Sequence, residues 1–171
     1  MKKIICLSLL CVLFASCKEK SFDENLKASN EAMESLILFS ALACDKTSET
    51  WRDAIYDHKD HKGNYCSDFN DALRTLRQFY NERGVYDTIR VRKSRMEEYA
   101  SKLNNPPSSR KDCYNDYIAI VAEVIAFSRM ATDPEGSLKS YNEATNASYA
   151  NIRKMRDQFK IKYGEFLKDK K

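Results

Sequence analysis

The fold is decided by residues 109–132, which read SRKDCYNDYIAIVAEVIAFSRMAT. Apolar side chains cover most of the circumference of the helix that this stretch would form: Cys113, Tyr114, Tyr117, Ile118, Ile120, Val121, Val124, Ile125 and Phe127. A helix that is apolar nearly all round is usually buried among other helices. The stretch therefore predicts the central helix of an all-α domain, running from about Ser109 to Thr132.

The last helix is predicted to follow directly. Asp133-Pro134-Glu135-Gly136 breaks the central helix, and Ser137 is a suitable N-cap for the next one. The inner residues of this helix keep a seven-residue rhythm towards Phe166: Leu138, Tyr141, Thr145, Ser148, Ile152, Met155 and Phe159. Such a rhythm is typical of a helix that packs along one face.

The first helix of the domain is predicted over residues 22–60. Its stripe has alternating steps of four and three: Phe22, Leu26, Ser29, Met33, Leu36, Ser40, Ala43, Thr47, Trp51, Ala54, Ile55 and His58. Asp45-Lys46-Thr47-Ser48 offers an alternative, a break with a new N-cap, because Thr and Ser compete for backbone hydrogen bonds. Gly63 is suited to end the helix in the left-handed conformation.

A second helix is predicted to start near Ser67 or Asp68 and to end at Asn104-Asn105-Pro106-Pro107. Gly84 weakens it, so we expect a kink or short turn near residues 84–87. Its inner residues are Phe69, Leu73, Leu76, Tyr80, Ile89, Met96, Tyr99, Ala100 and Leu103.

Four helical segments with three short connections predict an all-α fold, an antiparallel up-down four-helix bundle with long helices. The low counts of Gly (4) and Pro (3) agree with few tight turns. We expect residues 22–167 to form this single helical-bundle domain.

The first 17 residues have a different character. A positive start at Lys2-Lys3 precedes an apolar run from Ile4 to Phe14, and the small residues Ala15-Ser16 precede Cys17. This order is typical of a secretory signal, and the apolar run is shorter than the roughly 20 residues of a transmembrane helix.

The segment Leu13-Phe14-Ala15-Ser16-Cys17 resembles the lipobox of bacterial lipoproteins. The resemblance implies that residues 1–16 are a signal peptide, that cleavage falls between Ser16 and Cys17, and that lipid is attached to Cys17. Residues 17–21 would then be a lipidated tether. The family implies a lipid anchor in the cell envelope, and Lys18 in place of the Asp typical of inner-membrane retention favours the outer membrane of a Gram-negative bacterium.

Charge and motifs exclude several classes of function. Without Lys2 and Lys3 the chain has 27 basic and 25 acidic side chains, because 29 − 2 = 27, and this near-neutral balance does not favour nucleic acid as a partner. The sequence has no Glu-x-x-His pair, no nucleophile motif and no glycine-rich phosphate loop. We therefore expect no enzymatic activity and no cofactor.

Three cysteines follow Cys17, namely Cys44, Cys66 and Cys113. An unbroken first helix would hold Cys44 about 24 Å from its end and too far from Cys66 for a disulfide, whereas a break near residue 46 would let the two approach. The sequence therefore leaves two alternatives for these cysteines, buried free thiols or a Cys44–Cys66 disulfide.

A metal site is one interpretation of His58, His61 and Cys66, because two His at i and i+3 on a helix can share a face and bind zinc with a thiolate. A solvated helix end would show the same residues. Tyr114, Tyr117, Tyr141 and Tyr149 are weak candidates for an exposed aromatic binding groove, and core packing is the alternative.

The leading functional hypothesis is therefore a lipid-anchored cell-envelope lipoprotein that acts as a non-catalytic binding or interaction module. Its partners would be the membrane, through the lipid, and an envelope protein or glycan. Two alternatives are a structural or stress-related envelope protein without a specific ligand and a metal-binding helical bundle.

Overall fold

A computed structural model describes the backbone of residues 2–168 and the side chains of residues 17–168. Five α-helices follow one another over this part of the chain: α1 (Lys2–Tyr56), α2 (Phe69–Glu82), α3 (Val85–Ser101), α4 (Lys111–Thr132) and α5 (Leu138–Tyr163). Two short 3-10 turns, Ser108–Arg110 and Gly164–Leu167, precede α4 and follow α5. Over residues 2–168 there is no β-strand, so the prediction of an all-α fold is confirmed.

Helix α1 passes through residues 45–48 without a break, as the first interpretation predicts. The hydroxyl of Thr47 donates to the carbonyl of Ala43 at 2.8 Å, so it is satisfied within the helix and does not cap a new one. Residues 17–21, expected to be a tether, are part of the same helix.

The predicted end of this helix at residue 60 is wrong, because α1 ends at Tyr56. The carbonyl of Asp53 accepts from the amides of Asp57 (2.9 Å) and Lys59 (3.2 Å), and His58 between them is left-handed, with φ 55°. Gly63 does not cap the helix. It is left-handed (φ 82°) within a separate turn, in which its amide donates to the carbonyl of Asp60 at 2.9 Å.

The other helix boundaries follow the predicted caps. The carboxylate of Asp68 accepts from the amide of Asp71 at 3.0 Å and starts α2, and the hydroxyl of Ser137 accepts from the amide of Ser140 at 3.2 Å and starts α5. The expected interruption of the second helix lies at Arg83 and Gly84, and Gly84 adopts a φ of 65° there. It separates α2 from α3, which makes five helices where four segments were predicted.

The central helix is α1, which packs against all four other helices, whereas α4 packs mainly against α1, α3 and α5. The prediction that residues 109–132 form the central helix is therefore wrong. Ala119, Ala122 and Ala126 form an exposed strip on α4, and such small side chains leave little apolar surface in water. On α1, in contrast, buried hydroxyls such as Ser29 and Thr50, both 0% exposed, extend the packed surface beyond the apolar stripe.

The contacts between helices run in a consistent order. Along α1, Ser29 meets Met96 of α3, and Ala43 meets Tyr80 of α2, so later residues of α1 face earlier residues of α2 and α3. Between α4 and α5, Met130 contacts Tyr141 and Tyr117 contacts Phe159, again in opposite order.

One large core joins the helices, and its largest fully buried side chains include Tyr117, Phe127, Leu26, Met33 and Leu36. A second, small cluster of Ala54, Cys66 and Ala72 lies beneath the loop between α1 and α2. In the described part of the chain, no helix has both the length and the apolar character needed to span a membrane.

Candidate functional site

The loop between α1 and α2 is held by a compact network around Asp60. One carboxylate oxygen of Asp60 accepts from the amides of Lys62 and Asn64, both at 2.8 Å, and the amide of Asp60 donates to the carbonyl of Asn64 at 2.8 Å. Burial raises the pKa of the Asp60 carboxyl, but the amide donors of Asn64 and Lys62 outweigh it and hold the pKa below its ordinary value. The turn therefore keeps its charge, and its shape, at neutral pH.

The base of the loop is closed by the amide of Cys66, which donates to the carbonyl of His58 at 2.9 Å. Next to this bond, Lys59 and Tyr65 form an isolated antiparallel bridge. The loop is therefore ordered by its own backbone hydrogen bonds, and the exposed side chain of Tyr65 extends from this fixed backbone.

Four large apolar side chains around this loop are exposed. Their exposed fractions are 41% for Ile55, 73% for Tyr56, 81% for Tyr65 and 38% for Phe69. We call these four residues the tip, since they occupy the last residues of α1, the loop and the first residue of α2. Large aromatic side chains are enriched at recognition surfaces, so exposed ones at this end of the domain are candidates for contact with a partner.

The tip is supported from below by buried aromatic residues. Phe69 stacks on Trp51 with ring centroids 5.8 Å apart, and Trp51 also contacts Tyr141 of α5 at 5.9 Å. Tyr65 stacks on the ring of His58 at 6.2 Å. These contacts limit the side-chain freedom that a partner would otherwise have to remove on binding.

The three candidate metal ligands are not brought together at the loop. His58 lies outward against Tyr65, His61 lies over Phe79 with centroids 5.0 Å apart, and Cys66 is buried with Ala54. Burial lowers the pKa of His61, so its ring is neutral at pH 7. Among the residues with described side chains, no group of three or more His, Cys, Asp or Glu is placed to hold a metal ion.

The four candidate tyrosines do not share one exposed groove. Tyr117 is fully buried (0% exposed) and Tyr141 nearly so (4%), with its hydroxyl donating to the carbonyl of Met130 at 3.2 Å. Tyr114 donates to the side-chain oxygen of Asn104 at 2.9 Å, and Tyr149 contacts Phe127. Tyr117 and Tyr141 thus have the core-packing role.

Cys44, Cys66 and Cys113 are buried free thiols, so no Cys44–Cys66 disulfide is present, whereas Cys17 is exposed. Burial raises the pKa of Cys44 to about 11 and that of Cys113 to about 12. Such thiols remain protonated at neutral pH and are poor nucleophiles.

The end of the domain near Cys17 carries a buried ion pair. The guanidinium of Arg110 donates to the two carboxylate oxygens of Asp23 at 2.9 and 3.3 Å and lies 3.8 Å from the ring centroid of Phe166. Glu19 lies 3.9 Å from the same guanidinium and accepts from the hydroxyl of Ser109. The turns of α1 around Glu19 and Asp23 are thereby held against the start of α4 and the turn after α5.

Comparisons of the chain with known families, with characterised proteins and with solved structures find no match. Sequence analysis did not single out Tyr65. Its placement of Ile55 and Phe69 among the inner residues of their helices is wrong, because they are 41% and 38% exposed. The signal that could have indicated the tip is the pair of aromatic residues flanking a polar loop, Tyr56 before it and Tyr65 within it.

Proposed function

We propose that the protein is a lipid-anchored lipoprotein of the cell envelope that acts as a non-catalytic interaction module, with the tip as its docking surface for an envelope protein. The observation that carries the proposal is the position of the tip at the C-terminal end of α1, far along the helix from Cys17. The 40 residues from Cys17 to Tyr56 span about 60 Å of helix.

The lipid anchor is supported by the sequence Leu13-Phe14-Ala15-Ser16-Cys17 and by the exposure of Cys17 on the described chain. Lipid on Cys17 would place the Arg110 end of the domain at the membrane and the tip away from it. Lys18 after the cysteine favours the outer membrane of a Gram-negative bacterium.

We propose further that the helices form an antiparallel up-down four-helix bundle in which α2 and α3 together make one leg. The opposite order of the contacts along α1 with α2 and α3, and between α4 and α5, supports this arrangement. The short connection between α4 and α5 favours it as well.

A protein partner suits the tip better than a small ligand. Protein interfaces have an aromatic centre and a polar rim. At the tip, Tyr56 and Tyr65 are surrounded in sequence by charged residues of both signs, such as Asp57, Lys59 and Lys62. The loop is already fixed by the Asp60 network, so little backbone order has to be gained on binding.

The docking role is tested by affinity capture from native envelopes with the double variant Tyr56→Ser/Tyr65→Ser. We expect the wild-type protein to retain a specific protein and the double variant to lose it, with no loss of thermal stability, because both side chains are exposed. Tyr149→Ser is the matched control, since Tyr149 is 38% exposed on α5 and does not belong to the tip. Equal capture by all three proteins would contradict the proposal.

The anchor is tested separately by mass spectrometry of the mature N-terminus and by the variant Cys17→Ser. We expect an acylated Cys17 as the first residue, and a Cys17→Ser protein that leaves the membrane fraction. An unmodified N-terminus at another position would contradict lipid attachment at Cys17. The docking role of the tip would not be affected by that result, because the capture experiment tests it separately.

A further inference from the structure

A groove separate from the tip lies between α1 and α3. It has a volume of about 670 Å³, and α3 contributes residues from Asp87 to Tyr99 to its wall. Its lining residues are Ala28, Glu31, Ala32, Ser35, Asp87, Thr88, Val91, Arg92, Arg95 and Tyr99. The α1 wall is thus built from small side chains and one carboxylate, and the α3 wall carries two guanidinium groups.

Arg92 is held in place within this groove. Its guanidinium lies over the ring of Phe39, 4.2 Å from the centroid, and one of its terminal nitrogens donates to the hydroxyl of Ser35. The Nε of Arg92 is buried without a hydrogen-bond partner among the described residues. The ring of Phe39 and the hydroxyl of Ser35 therefore fix the guanidinium of Arg92 at the wall of the groove.

The basic residues of α3 divide into two pairs. Arg90 forms a salt bridge with Asp87 at 2.8 Å and Lys93 one with Glu97 at 3.8 Å, both along the helix. Neither Arg92 nor Arg95 forms a salt bridge with a carboxylate of residues 17–168, and both line the groove. The carboxylate of Glu98 attracts Arg95 only weakly, because Glu98 already forms a salt bridge with Lys102 at 2.7 Å.

We propose that this groove binds the carboxylates of an acidic peptide segment through Arg92 and Arg95. The inference concerns a different surface from the tip and does not depend on the proposed function. Guanidinium groups present a planar fork of donors that matches a carboxylate in two hydrogen bonds. Arg92 and Arg95 are three residues apart, so they lie on neighbouring positions of one helix face and can take two carboxylates of the same chain.

The dimensions of the groove favour a peptide over a small anion. From Asp87 to Tyr99 the wall on α3 is about 18 Å long, the length of about five extended residues. Ala28 and Ala32 leave room for a backbone to approach α1, and Val91, 63% exposed, offers an apolar contact on the opposite wall. The hydroxyls of Thr88 and Tyr99 add polar groups along the same wall.

Two carboxylates of the protein line the groove and oppose an anionic ligand. Asp87 is neutralised by its salt bridge with Arg90, whereas Glu31 forms no salt bridge with a described residue. Glu31 therefore lowers the affinity for acidic peptides, and removing its charge should raise that affinity.

The test is fluorescence anisotropy of a fluorescein-labelled hexaglutamate peptide with the purified full-length protein at low ionic strength. We expect saturable binding that Arg95→Gln weakens by about two- to fivefold, the range of an exposed ion pair. Adding Arg92→Gln should bring the loss to about tenfold or more, because Arg92 is partly buried. Glu31→Gln should tighten binding.

The matched control is Lys93→Gln, which changes the net charge equally, while Lys93 and its partner Glu97 both lie outside the groove lining. Unchanged affinity in this control supports the proposal, and a loss equal to that of Arg95→Gln would overturn it as non-specific charge attraction. Absence of hexaglutamate binding would also overturn it. Citrate and inorganic phosphate are titrated as competitors, and a free anion that binds more tightly than the peptide would overturn the peptide as ligand. Arg95 is exposed, so Arg95→Gln keeps the test valid if Arg92→Gln fails to fold.

Discussion

Replacement of Arg110 by methionine removes the cation of the buried ion pair but keeps most of its packing volume. The side chains of Arg110 and Asp23 are 12% and 8% exposed, and their closest contact is 2.9 Å. Breaking such a pair by removing one partner costs about 3–5 kcal/mol. We expect about 3 kcal/mol, the lower end, because the second hydrogen bond is long at 3.3 Å. The methionine sulfur can also make a favourable contact with the Phe166 ring, in place of the guanidinium.

The loss is measured by urea unfolding at pH 7, followed by the emission of Trp51. Trp51 is the single tryptophan of the chain and is 4% exposed, and it lies at the other end of α1, so the substitution does not alter the reporter directly. In thermal unfolding the same loss corresponds to a decrease in Tm of roughly 6–12 °C.

A double variant separates the ion pair from general damage to the fold. Arg110→Met/Asp23→Leu removes both charges, and we expect it to recover at least half of the lost free energy of unfolding, because the buried carboxylate is removed together with the guanidinium that donated to it. Arg153→Met is the control, since Arg153 is exposed and forms no salt bridge with a described carboxylate. A loss below about 1 kcal/mol in Arg110→Met, or an equal loss in the control, would refute the reasoning.

Two further predictions concern pH and the backbone. Burial raises the pKa of Cys44 to about 11 and those of Cys113 and Tyr80 to about 12, so above pH 9 the unfolded chain ionises before the folded one. The free energy of unfolding should therefore change little between pH 7 and 8 and fall between pH 9 and 11, by up to about 1.4 kcal/mol per pH unit for each group, and the absence of a decrease above pH 9 in urea titrations would contradict this. Gly84→Ala should cost about 1 kcal/mol in thermal unfolding, because φ is +65° there although a Cβ would meet nothing within 4 Å, and Gly84→Asn should cost less.

Local signals were sufficient to predict several boundaries from the sequence. Asp68 and Ser137 start helices because each side chain can accept an amide hydrogen bond from its own first turn. Gly84 interrupts a helix because its backbone can adopt a positive φ. In these places the cause lies within a few residues of the chain.

The end of α1 could not be predicted in the same way. It depends on His58, a residue other than glycine in the left-handed region, and on the loop network around Asp60 that returns the chain to the carbonyl of His58. A helical stripe through His58 gives no sign of this. The position of α4 was misjudged because its alanines were not weighed as an exposed strip.

The candidate sites could not be predicted from local sequence either, because they depend on how the helices pack. The spacing of Arg92 and Arg95 is visible in the sequence, but Arg90 and Lys93 have similar spacings, and only the packing of α3 on α1 shows which pair lines the groove. The exposure of Tyr65 and the burial of Tyr117 likewise depend on which neighbouring elements cover them.

The continuity of α1 has a mechanical consequence. A continuous helix acts as a lever over the roughly 60 Å from Cys17 to Tyr56, and a tilt of about 10° about Cys17 displaces Tyr56 sideways by about 10 Å. The ion pair of Arg110 and Asp23 holds α1 near Cys17 against the start of α4 and so limits this tilt. A substitution that breaks this ion pair would therefore widen the range of positions of Tyr56 and Tyr65 without contacting either residue. Under the proposed function, the orientation of a partner bound at the tip would then depend on the packing near Cys17 as well as on the tip itself.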